Sequence, residues 1–247
     1  MATKGYRTAG GIVSFYDPAV QTLHQSGLWK DCPVLESLHD PSILVTYFDD
    51  FHKYDPSATN LILTQATSGT CVPGVLANGV LTIDAGAATD GQGVNLQLAG
   101  VDFFPAAGKT LWFETRVKDS FITGDLFFGL AELDTTIIAS SAMTTANHIG
   151  YKTLTGDGIM LGEGAKASAV GTTAGLVTIT AATYTKLGFK VNGVTNIDWY
   201  VDNVLVDSTL LTANIPVAGL TPSIVVHATG TNRDVVDVDY IKIAQLR

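Results

Sequence analysis

The sequence has little charge, and most of that charge is acidic. Only 15% of its 247 residues are Asp, Glu, Lys or Arg, and 14 basic residues stand against 23 acidic ones, for a net charge of −9. A nucleic-acid-binding face needs clustered Lys and Arg, so no nucleic-acid partner is expected. Although 46% of the chain is hydrophobic, no run of 18 apolar residues occurs, and no membrane span is expected. The first residues also lack an apolar signal segment, so the Sec export route is not expected.

Motifs for metal binding and for covalent catalysis are missing as well. The histidines do not occur at zinc-ligand spacings; they are His24, His39, His52, His148 and His227. No Gly-x-Ser-x-Gly motif and no phosphate-binding glycine loop is present. We therefore expect no metal ion and no cofactor.

Two cysteines are too few for a disulfide framework. Cys32 and Cys71 are interpreted as two small thiols that are buried or half buried. A single bridge between them stays open as an alternative, because sequence does not give the distance between their Cα atoms.

Residues 1–45 are predicted to form an N-terminal arm. Asp17-Pro18 followed by residues 19–24 predicts a short helix, which Ser26-Gly27 would end. The arm is apolar but lacks the length and periodicity of a core of its own. We expect it to pack on its own domain or on a neighbour.

Beyond residue 46 the apolar residues alternate as in β-strands. In residues 111–118, Leu111, Phe113, Thr115 and Val117 share one face, and the charged residues share the other. This pattern predicts a half-buried strand.

Further strands are predicted at residues 125–130, 158–161, 176–180, 184–191, 197–201, 204–206, 223–227 and 235–243. Asp202-Asn203 suits the tight turn of a hairpin. Residues 135–146 and 165–174, rich in Ala, Ser, Thr and Gly, are predicted as loops. Many strands without crossover helices indicate an all-β antiparallel sandwich or barrel over residues 46–247.

Four motifs occur in a recognisable order. They are Phe48-Asp49-Asp50-Phe51, the Leu-Trp-Phe-Glu-Thr-Arg-Val of residues 111–117, the Asp-Trp-Tyr-Val-Asp-Asn-Val-Leu-Val of residues 198–206, and the Val-Asp-Tyr-Ile-Lys-Ile of residues 238–243. This order resembles the concanavalin A-like family of the laminin G and glucanase type. The resemblance implies an antiparallel jelly-roll β-sandwich whose last strand returns beside the first. It does not choose between lectin, hydrolase and structural protein, since this fold serves all three.

The arm carries a second resemblance. Residues 26–35 read Ser-Gly-Leu-Trp-Lys-Asp-Cys-Pro-Val-Leu and lead into the Asp-Asp-Phe motif. This order is similar to that in virion structural proteins of tailed bacteriophages, in particular capsid decoration (cement) proteins. The resemblance implies a non-enzymatic protein, made in the host cytoplasm, on the outside of a phage head. Its partners would be the major capsid protein and further copies of itself, in a homotrimer.

Five apolar arm residues are the predicted contacts with the capsid or a neighbouring subunit: Phe15, Tyr16, Leu23, Leu28 and Trp29. The low charge density agrees with a covered surface, because interface cores are depleted in charge. The alternative is a carbohydrate-binding, lectin-like module of a fibre or a secreted protein.

Catalytic residues are not assigned. A retaining glycosidase needs two carboxyl groups about 5–5.5 Å apart, and the glucanase-type family carries them in a Glu-x-Asp-x-x-Glu motif. The nearest candidate is residues 132–137, where Ile137 occupies the place of the second glutamate. We therefore expect no enzymatic activity and interpret Glu132 and Asp134 as a polar strand end.

One cluster of acidic residues is a candidate calcium site. Asp49, Asp50 and Asp239 would come together if the first and last strands pair, and carboxylates suit Ca²⁺. The preferred interpretation is surface carboxylates that cap turns, so no metal is assigned.

Three aromatic residues are candidates for stacking on a sugar ring: Trp112, Trp199 and Tyr200. Packing in the core or at an interface is the preferred interpretation for them.

Overall fold

The described part of the chain is built almost entirely from β-strands. The computed structural model describes residues 5–9, 12–16, 27–37, 40–54, 61–66, 68–74, 79–100, 102–154, 156–209, 212–230 and 233–247. Within these residues, helix is limited to α1 (Val34–Ser37) and one 3-10 turn (Thr212–Asn214). No helix in this part is long and apolar enough to cross a membrane. The helix predicted after Pro18 lies outside the described residues.

The strands follow one another along the chain as β1 (Gly5–Ala9), β2 (Ile12–Tyr16), β3 (Leu44–Asp49), β4 (Leu61–Ala66), β5 (Thr70–Pro73), β6 (Leu81–Asp84), β7 (Gly93–Leu98), β8 (Leu111–Asp119), β9 (Asp125–Ala131), β10 (Ile138–Ala139), β11 (Ala142–Met143), β12 (His148–Thr153), β13 (Ile159–Lys166), β14 (Ala169–Thr178), β15 (Thr185–Val191), β16 (Ile197–Val201), β17 (Val204–Thr209), β18 (Thr221–His227) and β19 (Val235–Leu246).

Two large antiparallel sheets form the sandwich. The seven-stranded sheet has the order β14-β13-β12-β9-β18-β7-β4, and the eight-stranded sheet includes β17-β16-β15-β8-β19-β6-β5. The last strand, β19, pairs with β8 on one side; on the other it pairs with β6 and then with the early strand β3. These features confirm the predicted jelly-roll sandwich.

The main core lies between the two sheets, where alternate residues of each strand meet. Phe113 and Phe189 stack with ring centroids 4.7 Å apart, and Trp199 lies 5.5 Å from Phe189. The Trp199 indole fits because β13 has glycine opposite it. A Cβ at Gly162 would lie only 2.6 Å from Trp199 Cε2.

The predicted hairpin between β16 and β17 is confirmed. Asp202 and Asn203 have φ angles of 47° and 68°, and Asp202 Oδ1 accepts a hydrogen bond from the Lys186 backbone N–H at 3.0 Å. Asn and Asp tolerate this left-handed backbone better than most residues do.

Two local predictions are wrong. Residues 165–174 form the end of β13 and most of β14 rather than a loop. The sequence of β14 does not alternate because both faces of this strand are largely exposed. The first part of β8 is buried on both faces rather than half buried, because residues 27–37 cover Trp112 and Glu114. Arg116 and Lys118, further along the same face, are partly exposed.

Candidate functional site

The outer side of the seven-stranded sheet carries polar residues and is called the polar face. Core residues such as Ile149 and Tyr151 of β12 point into the sandwich, so the alternating residues His148 and Lys152 lie on the other side. Glu163 of the neighbouring β13 lies beside them. No sequence motif indicates this cluster, because Glu163 comes from a different strand than His148 and Lys152.

His148, Lys152 and Glu163 form a buried ionic cluster. His148 Nε2 lies 3.1 Å from Glu163 Oε1, and Lys152 pairs with the other carboxylate oxygen. Thr172 Oγ1 donates to that oxygen at 2.8 Å. Burial alone would raise the pKa of Glu163, but the hydrogen bonds from His148, Lys152 and Thr172 outweigh burial and lower the pKa. Glu163 is therefore an ionised acceptor whose charge is matched within the cluster.

A segment of the chain's own sequence covers the polar face. Residues 132–147, which include β10 and β11, are called the covering loop. Ile137 and Ile138 are 0% and 1% exposed, and they pack on Phe127 and Val225 of the sheet. The loop therefore contributes a small second core outside the sandwich.

Polar contacts fix the covering loop at its start. Gln97 donates to the Glu132 carbonyl at 2.9 Å and accepts from the Asp134 backbone N–H at 2.9 Å. Asn95 donates to the Asp134 carbonyl at 2.6 Å. The two amide side chains thus anchor the loop to the sheet.

Its end is fixed as well. Asn147 Nδ2 donates to Glu132 Oε1 at 2.7 Å, which closes the loop. The Ala146 carbonyl lies 2.9 Å from His148 Nδ1, which must be a donor there because a carbonyl only accepts. The hydrogen bond between His148 and the Ala146 carbonyl therefore connects the covering loop to the ionic cluster.

Glu132 and Asp134 have structural partners in this loop. Glu132 comes directly after β9, as expected of a polar strand end, and its carboxylate holds Asn147. Asp134 accepts from the Thr136 backbone N–H at 2.9 Å, in a turn. Ile137 is fully buried. Residues 132–137 do not form a strand of the sheet, so they do not present the side chains of a Glu-x-Asp-x-x-Glu motif on a sheet face.

The outer side of the eight-stranded sheet is covered by part of the arm. Residues 27–37 are called the arm segment. Leu28 is 1% exposed and packs with Trp112, Tyr200 and Leu44. Its close fit requires glycine on β15, since a Cβ at Gly188 would lie 2.6 Å from Leu28 Cδ2.

Polar contacts also tie the arm segment to the sheet. Trp29 Nε1 donates to Glu114 Oε2 at 3.0 Å, and Lys242 Nζ lies 3.9 Å from the centroid of the Trp29 ring. Asp31 pairs with Lys190 at 3.2 Å. The arm was expected to pack either on its own domain or on a neighbour, and the arm segment packs on its own domain.

The five predicted capsid contacts lie in three parts of the arm. Leu28 and Trp29 pack on their own sheet, as described. Phe15 and Tyr16 belong to β2, which pairs with β1 in a separate two-stranded sheet. Leu23 lies outside the described residues. Leu28 and Trp29 therefore contact their own domain, and Phe15, Tyr16 and Leu23 stay predicted contacts.

The aromatic candidates for sugar stacking are buried. Trp112, Trp199 and Tyr200 are 1%, 0% and 4% exposed. Their rings pack in the two cores, which was the preferred interpretation.

The three aspartates of the calcium hypothesis have separate partners. Asp49 accepts from the Phe51 backbone N–H at 2.8 Å, Asp50 pairs with His52, and Asp239 pairs with Arg116. Among the described residues, no three His, Cys, Asp or Glu side chains are grouped as metal ligands. Cys32 and Cys71 are not joined by a disulfide, and burial raises the pKa of Cys71 to about 12.

A carboxyl pair lies near the turn between β8 and β9. Asp119 and Asp234 are 3% and 0% exposed. The backbone N–H of Ile122 donates to Asp119 at 3.0 Å, and that of Thr123 donates to Asp234 at 3.2 Å. Burial, and then the charge of Asp234, raises the pKa of Asp119 to about 7, and burial also raises the pKa of Asp234. The pair therefore keeps a proton at pH values well above 3.8, the ordinary pKa of an aspartic acid side chain.

An open groove of about 540 Å³ lies beside the start of β3 and the end of β19. Its polar lining includes Asp102, Lys109 and Arg247, and its aromatic lining is Phe104, which is 51% exposed. Gln245 holds the Phe104 backbone with two hydrogen bonds, of 2.9 and 2.5 Å. Sequence reasoning missed this groove; the only signal was the Phe103-Phe104 pair, of which one ring is buried and the other exposed.

These observations define a concanavalin A-like jelly-roll sandwich, and comparison with solved structures supports this. The chain is similar to endo-1,3-β-glucanase from Streptomyces sioyaensis, with a TM-score of 0.58 and 14% identity over 83% of this chain and 98% of that one. It is also similar to a prokaryotic β-1,3-1,4-glucanase (lichenase) from a mouse hindgut metagenome, with a TM-score of 0.56 and 13% identity over 81% and 98%. Arcelin-5, a lectin-like defence protein from Phaseolus vulgaris, matches with a TM-score of 0.54 and 8% identity over 83% and 100%. No family model and no curated protein matches the sequence.

The comparison corrects one expectation from the sequence. The exclusion of enzymatic activity is wrong, because the similar structures include an endo-1,3-β-glucanase and a lichenase. That exclusion depended on Ile137 at a glutamate position, and residues 132–137 lie in the covering loop rather than on a strand. The missing glutamate at residue 137 therefore concerns a loop position and not a position on a sheet face.

Proposed function

We propose that the chain is a structural protein of the virion surface, of the capsid-decoration type, which binds the outside of a phage head. The observation that carries this proposal is that the chain's own segments cover part of both outer faces of the sandwich. The covering loop packs on the polar face around Phe127 and Val225, and the arm segment packs on the opposite face around Trp112 and Tyr200. Such a protein offers its rims and edges as contact surfaces.

The N-terminal hairpin is the proposed anchor. Among the described residues, β1 and β2 pair only with each other, and β2 carries Phe15 and Tyr16. Burying one such side chain on a partner is worth about 1.5–3 kcal/mol. Repetition around a symmetry axis strengthens the contact through effective concentration. The partners in this proposal are the major capsid protein and further copies of the chain, in a homotrimer.

The test compares the full chain with a variant that lacks residues 1–26. The deletion must stop there, because residues 27–37 cover Trp112 and Tyr200. Both proteins are added to particles that lack the protein, and bound protein is quantified against the major capsid protein. We expect the full chain to bind at a fixed ratio, and the shortened chain to melt like the full chain without binding. Absence of binding by the full chain would refute the proposal, and full binding by the shortened chain would refute the anchor.

The second candidate function is carbohydrate binding, and the groove at Phe104 favours it. Ligand sites usually have volumes of about 300–1,000 Å³ and a few fixed polar groups, and this groove of about 540 Å³ falls within that range. Gln245 holds the backbone of Phe104 through two hydrogen bonds. The exposed ring of Phe104 offers an apolar face to a sugar ring. Asp102, Lys109 and Arg247 supply hydrogen-bond acceptors and donors for hydroxyl groups.

A glycan array tests this candidate, with Phe104→Ala as the variant and Phe121→Ala as its control. Phe121 is 49% exposed, which matches Phe104, and lies outside the groove. Carbohydrate binding in the groove predicts a signal that Phe104→Ala removes and Phe121→Ala keeps. Equal signals from both variants would contradict it.

A further inference from the structure

The Asp119 and Asp234 carboxyl groups meet at one end of the core between the two sheets. Asp119 ends β8 on the same side as the buried Val117, because strand side chains alternate between the two faces. Asp234 directly precedes β19 and is fully buried. Val236 pairs with Asp119 across the two strands, and the Asp119 side chain hydrogen-bonds that of Asp234. A hydrogen bond between two carboxyl groups requires that one of them carries a proton.

The two carboxyl groups hold the loop that connects β8 to β9. Residues 120–124 are called the tip loop. Successive backbone N–H groups of the loop donate to the carboxyl oxygens: Phe121 (3.3 Å) and Ile122 (3.0 Å) to Asp119, and Thr123 (3.2 Å) to Asp234. The first half of the tip loop is therefore bound to one carboxyl group and the second half to the other.

The tip loop has a backbone conformation that one of its own residues disfavours. Ile122 has a φ angle of 58°, in the left-handed region that β-branched residues rarely adopt. Phe121 beside it is 49% exposed. A disfavoured backbone persists only where surrounding contacts impose it. Here those contacts are the hydrogen bonds to the carboxyl pair, together with one from Thr229 Oγ1 to the Thr123 carbonyl at 2.6 Å.

The charged side chains around the carboxyl pair have other partners. They are Lys118 beside Asp237 and the Tyr184 ring, Arg233 beside Asp84, and His227 near Asp125 and Asp90. Within the described residues, no cationic side chain lies within ion-pair distance of Asp119 or Asp234. Loss of the shared proton would therefore leave two buried carboxylates in contact without a neutralising charge, and like charges at such a site repel each other.

We propose that the carboxyl pair is a proton-dependent latch for the tip loop. While the two groups share a proton, they accept the N–H groups of the loop, and the loop is closed over the end of the core. When the proton is lost to water, repulsion drives one carboxylate out of the pair, and its hydrogen bonds to the loop break. The loop then opens at Ile122. The latch acts independently of whether the chain binds a particle or a glycan.

The direction of the pH dependence follows from the protons bound in each state. In the open loop Asp119 is exposed to water and has its ordinary pKa of 3.8, whereas burial and then the charge of Asp234 raise this pKa to about 7 in the closed loop. Between these values the closed loop binds one proton more than the open loop. The equilibrium constant for opening therefore rises by up to about ten-fold per pH unit over this window and levels off above it.

Hydrogen exchange of the full chain tests the latch, with the exchange rates corrected for the intrinsic effect of pH. The variant is Asp234→Asn, which keeps an acceptor for the loop but removes one charge. The control is Asp237→Asn, which removes a carboxylate of β19 that pairs with Lys118 and Thr82. Between about pH 5 and pH 7 we expect the protection of the tip-loop amides to fall at least ten-fold in the wild type and in Asp237→Asn, and less than about two-fold in Asp234→Asn.

Tip-loop protection that stays constant in the wild type would overturn the proposal, as would an equal fall in Asp234→Asn. Protection factors equal to those of β8 at every pH would mean that the loop opens only when the whole domain unfolds, which also refutes the latch. Infrared spectroscopy of the wild type supplies a reading that needs no variant. The carbonyl band of a protonated carboxyl group should be present at about pH 6 and lost by about pH 9, and its absence at the lower pH would refute the shared proton.

Discussion

Replacing Phe113 with alanine should lower the free energy of unfolding by about 3–5 kcal/mol. The Phe113 side chain is fully buried between the sheets, and its ring stacks on Phe189 at 4.7 Å with an interplanar angle of 9°. Its neighbours in the sheet are Phe189 on β15 and Ile243 on β19.

The magnitude follows from the surroundings of the ring. An aromatic side chain removes about 150–250 Å² from water, and a stacked pair adds about 0.5–1.5 kcal/mol. Alanine would leave a cavity lined by side chains from paired strands, which have little room to collapse. For a domain of this size the loss corresponds to a fall in Tm of about 6–20 °C.

Urea unfolding, followed by tryptophan fluorescence, measures the change in the free energy of unfolding. An m value equal to that of the wild type shows that the folded and unfolded states of the variant are comparable with those of the wild type. Phe48→Ala is the matched control, since Phe48 lies on β3 of the same sheet and is 61% exposed. It should change stability by no more than about 0.5 kcal/mol. A loss below about 1 kcal/mol for Phe113→Ala would refute the assignment of the core face of β8.

Three further predictions concern the covered faces and the carboxyl pair. Ile137→Ala should cost about 2–5 kcal/mol, because the side chain is buried under the covering loop; urea unfolding measures it, with the 47% exposed Leu133 as the alanine control. Trp29→Phe should cost about 1–3 kcal/mol in the same assay, because it removes the hydrogen bond to the Glu114 carboxylate. Asp234→Asn should flatten the fall in stability of the wild type between about pH 4 and 7.

The sign of that pH dependence follows from the raised pKa of Asp119. Its pKa rises from 3.8 to about 7 on folding, so the folded state holds more protons than the unfolded state between these values. Stability contributed by the pair is full below pH 4 and is lost as the pH rises through about 7, by at most about 1.4 kcal/mol per pH unit for one proton. Asp234→Asn removes one charge and lowers the pKa of Asp119. Identical slopes in wild type and variant would contradict this account.

The other two predictions have their own contrary outcomes. Equal losses for Ile137→Ala and Leu133→Ala would mean that the covering loop does not pack on the polar face. A Trp29→Phe variant as stable as the wild type would mean that the arm segment is not held to the sheet through Glu114.

The sequence alone determined those features that depend on neighbouring residues. Alternation in residues 111–118 gave the core side of β8, since strand side chains point alternately to the two faces. Asp202-Asn203 gave a hairpin because these residues accept the left-handed backbone of a tight turn. The fold class followed from many such local signals in one order.

Contacts between distant parts of the chain decide what covers each sheet. Nothing local in residues 132–147 indicates that Ile137 packs on Val225, or that Gln97 holds the Glu132 carbonyl; these contacts join residues far apart in the chain. In the same way, Leu28 packs on Trp112 and covers the face of β8 that carries the charged residues. The first part of this strand is therefore buried on both faces. Strand β14 was mistaken for a loop because its sequence lacks the alternation that burial of one face imposes. Alternation of apolar and polar residues indicates a strand only where one face of the strand packs in a core and the other is exposed to water.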